Sequence, residues 1–167
     1  YVMEFVNAAY KQGFDRIQIL DHTHRFKEFE GTYQGVKDAC DKQAQWLANK
    51  EMKFKDTLDD YVKLIKEVKS CDLPIEVLFG LEVCYVPEYK EEIKKILEPY
   101  HFDFLVGAIH SIDGLLYDMS WSKEILWDKY DTNKIYQRYY ELIFDLVESD
   151  LFTQLAHPDT IKMFGYY

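Results

Sequence analysis

Apolar residues recur three and four positions apart at Val2, Phe5, Val6 and Ala9, and Gly13 follows them. That spacing predicts a helix from Val2 to Gln12 with a glycine stop. The period then shortens. Ile17, Ile19 and Leu20 form an apolar run ending at Asp21-His22, which predicts a strand. Residues 23–34 are polar and aromatic, with Gly31, and predict a long loop. A helix is expected from Val36 to Asn49. Asp56-Thr57 then offers a cap for a helix carrying Leu58, Tyr61, Val62, Leu64, Ile65 and Val68.

After Pro74, the run Ile75, Val77, Leu78, Phe79 predicts a second strand, ending at Gly80-Leu81-Glu82. Pro87 suits the first turn of a helix through Ile93, Ile96 and Leu97. Phe102, Phe104, Leu105, Val106 and Ile109 predict a third strand ending at His110, followed by a looser stretch with Gly114 and a short helix near Lys123 to Asp128. Ile135, Tyr139, Leu142, Ile143, Leu146 and Val147 mark a helix face from Thr132 to Glu148, and a last strand, Thr153 to Ala156, runs into His157-Pro158-Asp159. Strands alternating with helices imply an α/β fold of parallel βα units, a pattern that a barrel and an open sheet both satisfy. Residues 1–167 show no repeat and no linker, and are read as a single domain.

The residues at the strand ends change the picture. In order they are His22, Glu82, His110 and His157. Any one of them alone reads as a loop or capping residue. Parallel α/β folds, however, place their sites at the carboxyl ends of the strands, so four such ends would bring three imidazoles and a carboxylate to one rim. That donor set suits zinc, manganese or iron. His24, two residues beyond His22, faces the same side if the backbone stays extended, as a ligand or a substrate-binding residue. Arg25 is a candidate phosphate binder. His101 precedes its strand and is read as structural. Asp21, Asp113 and Asp159 adjoin candidate ligands, and either orient imidazoles or cap turns. Cys84 is read as a buried bystander thiol.

Composition narrows the partners. The net charge of −10 disfavours a long nucleic acid, while a bound cation would still admit a small phosphorylated substrate. Three separated cysteines without a CxxC pair argue against a disulfide scaffold and for a reducing cytoplasm. No apolar run reaches membrane-spanning length, and no signal peptide is evident. There is no glycine-rich phosphate loop and no GxSxG.

Ile19-Leu20-Asp21-His22, Phe79-Gly80-Leu81-Glu82-Val83, Val106-Gly107-Ala108-Ile109-His110 and Ala156-His157-Pro158-Asp159 resemble successive motifs of the polymerase-and-histidinol-phosphatase (PHP) family, in the order of its histidinol-phosphatase branch. The resemblance implies a distorted (βα)7 TIM-like barrel with a trinuclear metal site. It implies that Glu82 bridges two metals, that His110 and His157 bind one of that pair, and that His22 binds the third. The implied reaction is hydrolysis of a phosphomonoester, histidinol phosphate, by metal-bound hydroxide in histidine biosynthesis. The family's opening HxH strand and its late Asp-x-His motif have no counterpart here. The chain is therefore expected to be the central portion of a PHP domain, truncated at both ends. Another PHP phosphoesterase or nuclease, or a non-catalytic metal-binding fragment, are the competing expectations.

Overall fold

The computed structural model describes residues 1–49 and 51–166. The chain opens with α1 (Val2–Lys11), β1 (Arg16–His22) and two 3-10 stretches, Thr23–Arg25 and Lys27–Tyr33. It continues through α2 (Gln34–Ala39), α3 (Asp41–Leu47), α4 (Leu58–Lys69) and β2 (Glu76–Cys84). A turn at Pro87–Tyr89 leads into α5 (Lys90–Leu97) and β3 (Phe104–Ala108). The short strands β4 (Ser111–Ile112) and β5 (Leu115–Leu116) follow, then a π-helical turn at Lys123–Trp127, α6 (Thr132–Glu148) and β6 (Gln154–Leu155).

The main sheet is parallel throughout, in the order β1-β2-β3-β6. Among the described residues β6 does not pair with β1, so the sheet stays open. No helix is long and apolar enough to cross a membrane among the described residues. Side chains alternate between faces along each strand. Val77, Phe79, Leu81 and Val83 of β2 enter the main core with Val6, Ile65, Ile93 and Leu146. The other face carries a smaller apolar cluster, Phe104, Val106, Ala108 and Ala156, with Leu20 and Leu78 against it. His22 and Glu82 lie in phase with that second face, two positions beyond Leu20 and Gly80.

The helices form where their caps and apolar spacing dictate. The Thr57 side chain accepts from the backbone N–H of Asp60, and Asp131 accepts from that of Lys134, fixing the starts of α4 and α6. α4 buries Leu58, Tyr61, Ile65 and Val68, and α6 buries Ile135, Tyr139, Leu142 and Leu146.

Three expectations need correction. The helix expected from Val36 to Asn49 breaks at Cys40, whose backbone is extended (φ −163°, ψ 137°). The break turns α3 so that buried Gln43 bonds the chain beyond β3: its amide donates to the carbonyl of Gly114 and accepts from the N–H of Leu116. β2 does not end at Gly80-Leu81-Glu82 but runs two residues further, to Cys84, so Glu82 stands inside a strand. The stretch around Gly114 is a β-hairpin, β4 to β5, turning on Asp113 and Gly114 with φ of 48° and 85°. Two positive φ values in a two-residue loop match a hairpin turn whose twist suits its strands, which is why Asp-Gly belongs there.

Candidate metal centre

The parallel register sets the site. His22 pairs with Glu82 across β1 and β2, placing both side chains on the same face as direct neighbours. His22 Nε2 accordingly lies 3.6 Å from Glu82 Oε1. On the other side of β2, His110 and His157 each lie two residues past their strands, β3 and β6. Nε2 of His110 and Nε2 of His157 both sit 3.1 Å from that same oxygen of Glu82. The His110 and His157 rings are 5.1 Å apart. Glu82, His110 and His157 thus offer one ligand atom each, all within 4.8 Å of one another, a group that could hold a metal ion.

The electrostatics follow from this crowding. Burial alone would raise the Glu82 carboxyl, but hydrogen bonds and charge from His110, His22 and His157 outweigh it and hold the group at about 2. Burial opposes a charge on His110, yet Asp118 and Glu82 together raise it to about 9. Burial first, then the neighbouring Lys53 charge, lower His24 to about 4.

Two groups, one half-buried and one buried, hold the candidate ligands in place. Asp118 Oδ2 lies 2.9 Å from Nδ1 of His110, leaving Nε2 to face Glu82. Its second oxygen is buried without a partner among the described residues. Thr23, buried between His22 and His24, accepts from the N–H of Cys84 at 3.1 Å and shares a hydrogen bond with the Tyr33 hydroxyl. That network ties the loop after β1 to the end of β2.

The donor chemistry fits a divalent cation. Two imidazole nitrogens and a carboxylate oxygen converge, one ring is fixed through its far nitrogen by a carboxylate, and the site lies at the carboxyl ends of parallel strands.

His22, Glu82, His110 and His157 are therefore brought together. His24 lies beside them, its ring 5.3 Å from that of His22. Arg25 goes elsewhere. It donates to Asp21 at 2.7 Å and pairs with Asp56. The Asp21 side chain leaves β1 on the face opposite His22. These groups line a cavity of 570 Å³ along β1, which takes in none of the four converging residues. His101 is exposed and precedes β3. Cys84 is buried, and burial raises its thiol to about 12.

None of Asp21, Asp113 and Asp159 orients an imidazole ring. Asp21 accepts from Arg25 and from the backbone N–H of His22, Asp113 from Arg138, and Asp159 from Lys162. The carboxylate that does so is Asp118, which the sequence reading passed over. Its signal was the Asp-Gly hairpin, which folds Asp118 back onto His110 from eight residues downstream.

Comparison with known proteins gives a consistent picture. The sequence model of the PHP domain matches residues 1–167. A probable histidinol-phosphatase of Schizosaccharomyces pombe is 26% identical over 167 residues, covering 97% of this chain and 51% of that protein. A probable histidinol-phosphatase of Deinococcus radiodurans is 27% identical over 94 residues, 55% of this chain and 35% of that protein. The chain thus spans about half or less of these curated relatives. In structure, 98% of the chain overlays on 53% of the histidinol phosphate phosphatase of Lactococcus lactis, a crystal structure in complex with zinc, L-histidinol and phosphate. The TM-score is 0.69 at 19% identity, a likeness of fold.

Proposed function

The chain belongs to the PHP domain family, and from that premise we propose that it carries the metal-binding centre of a phosphomonoester hydrolase acting on histidinol phosphate. The observation that carries this reading is the meeting of His110 and His157 on one oxygen of Glu82 at the carboxyl edge of a parallel sheet. The names of its relatives supply the substrate.

In this reading Glu82, His110 and His157 would together hold a divalent cation, and His22 would help hold another in a trinuclear centre. The metals are zinc, manganese or iron. Bound there, they would supply Lewis acidity toward phosphoryl oxygens and a water made nucleophilic near neutral pH. The protein's own groups do the positioning. Asp118 holds the His110 ring with Nε2 toward the site. Thr23 fixes the turn between His22 and His24. His24, beside the ligands, faces the substrate, whereas Arg25 secures the loop through Asp21 and Asp56. The open parallel sheet is read as part of a distorted (βα)7 barrel of the PHP type. The protein works in the cytoplasm on a small phosphorylated substrate, with no nucleic acid and no membrane.

Phosphate release from histidinol phosphate by the purified protein, with added manganese or zinc, tests this, with His110→Ala as the control. Turnover that falls at least a hundredfold in the control is the expected result. A folded, metal-loaded protein that releases no phosphate would overturn it.

A further inference from the structure

Lys53 is only 7% exposed, although its side chain ends in an ammonium group. Its stem is buried while the ammonium keeps a narrow opening to solvent, and lysines so placed are normally paired with a carboxylate. Among the described residues Lys53 has no carboxylate within ion-pairing distance. Its Nζ lies 3.9 Å from the centre of the Trp46 ring, which offers a π-face but no acceptor for the three N–H donors.

The backbone holds this cation in place. The N–H of Phe54 donates to the carbonyl of His24 at 2.9 Å, and the N–H of Lys55 to that of Arg25 at 2.8 Å. Phe54 adopts φ of 49°, a left-handed conformation unfavourable for a bulky residue, and is pinned there by burial and by an edge contact with Tyr33. Local strain is thus accepted directly beside Lys53.

The position leads toward the metal centre. The Trp46 ring lies 6.0 Å from His24, the His24 ring 5.3 Å from His22, and His22 3.6 Å from Glu82. Lys53 immediately precedes Phe54, which bonds the His24 backbone, and Lys53 and His24 both lie against the Trp46 ring. Burial also lowers the Lys53 ammonium from its ordinary value, the expected sign for a charge without a partner. Arg25 offers a contrast, since two aspartates already match its charge.

We propose that Lys53, held against Trp46 beside His24, is the anion-recognition residue of this site and meets the phosphate of the substrate at the rim of the metal centre. The assignment rests on the phosphomonoesterase reading above. A compact ammonium with three free donors suits a phosphate dianion, and the apolar wall of Trp46 keeps competing water from one side of it.

The test is calorimetric titration of the metal-loaded protein with inorganic phosphate, beside steady-state kinetics on histidinol phosphate. Lys53→Met keeps the buried stem and removes the charge, and Lys53→Gln replaces it should the methionine variant not fold. The expected result is a rise of tenfold or more in both the phosphate Kd and KM, a smaller change in kcat, wild-type metal content by elemental analysis, and substantial rescue by Lys53→Arg. An unchanged phosphate Kd at wild-type metal content would overturn the assignment and leave Lys53 as a packing partner of Trp46, even if the melting temperature fell. A wild-type protein that neither binds phosphate nor releases it would instead sink the phosphomonoesterase reading, and this assignment with it.

Discussion

Asp118 grips His110 by Nδ1 at 2.9 Å, while the opposite ring nitrogen of His110 lies 3.1 Å from Glu82. One carboxylate therefore sets which nitrogen a cation can take. Asp118→Asn removes the negative charge and frees the tautomer. Metal affinity should fall roughly ten- to a hundredfold, the usual cost of losing such a support. Competition with a chromogenic chelator measures this; wild-type affinity would show that Asp118 does not position the ring.

Glu82 is the point on which three imidazoles converge, so Glu82→Gln should lower metal content and the proposed phosphate release together. His101 is exposed and precedes β3, and His101→Ala should spare both. Elemental analysis of the two purified variants decides the matter. Metal retained in the glutamine variant, or lost in the alanine one, would contradict the assignment.

Gly80 sits inside β2 because nothing larger fits. A Cβ there would lie 2.5 Å from both the backbone oxygen and a ring carbon of Phe104. The backbone of Gly80 is also held by the Tyr61 hydroxyl, which donates to its carbonyl at 3.0 Å. Gly80→Ala should destabilise the fold by about 1–3 kcal/mol through overpacking. Urea denaturation reads this as a lower midpoint at unchanged slope, and an unaltered midpoint would mean that Phe104 yields freely.

Asp103 accepts from Lys69 Nζ at 2.6 Å and from the N–H of Phe79 at 2.7 Å. Burial pushes its carboxyl up, but these two partners prevail and hold it below the ordinary value. A carboxyl lowered in the folded state adds stability that is present above its unfolded pKa and lost as pH falls through its folded one. Because the pair is partly exposed, the gain is modest, about 1 kcal/mol. Asp103→Asn should therefore be less stable than wild type at neutral pH and equal to it in strong acid. A difference independent of pH would point to packing rather than charge.

Much of the fold was legible because its signals are local. The spacing of Ile135, Tyr139, Leu142 and Leu146 gave α6 its observed limits, Thr132–Glu148, and Thr57 proved to be the cap of α4. His22, Glu82, His110 and His157 were legible as a set because parallel strands deliver their last residues to one edge. Where local signals failed, a longer-range contact had taken over. The second strand, expected to stop at Glu82, runs on to Cys84 because Val83 and Cys84 pair with Gly107 and Ala108 of β3. The helix expected through Cys40 breaks there so that Gln43 can reach Gly114 and Leu116.

The sequence by itself determined the alternation of elements and the residue types that end the strands, since periodicity and capping act within a few residues along the chain. Only the tertiary structure decided how those residues meet. The β1–β2 register sets His22 against Glu82, the β4–β5 hairpin returns Asp118 to His110, the pairing of Arg25 with two aspartates takes it out of the site, and the backbone bonds at Phe54 and Lys55 bring Lys53 to His24. Each of these relationships depends on pairing and packing between segments far apart in the chain, where no periodicity in the sequence records which partner is chosen.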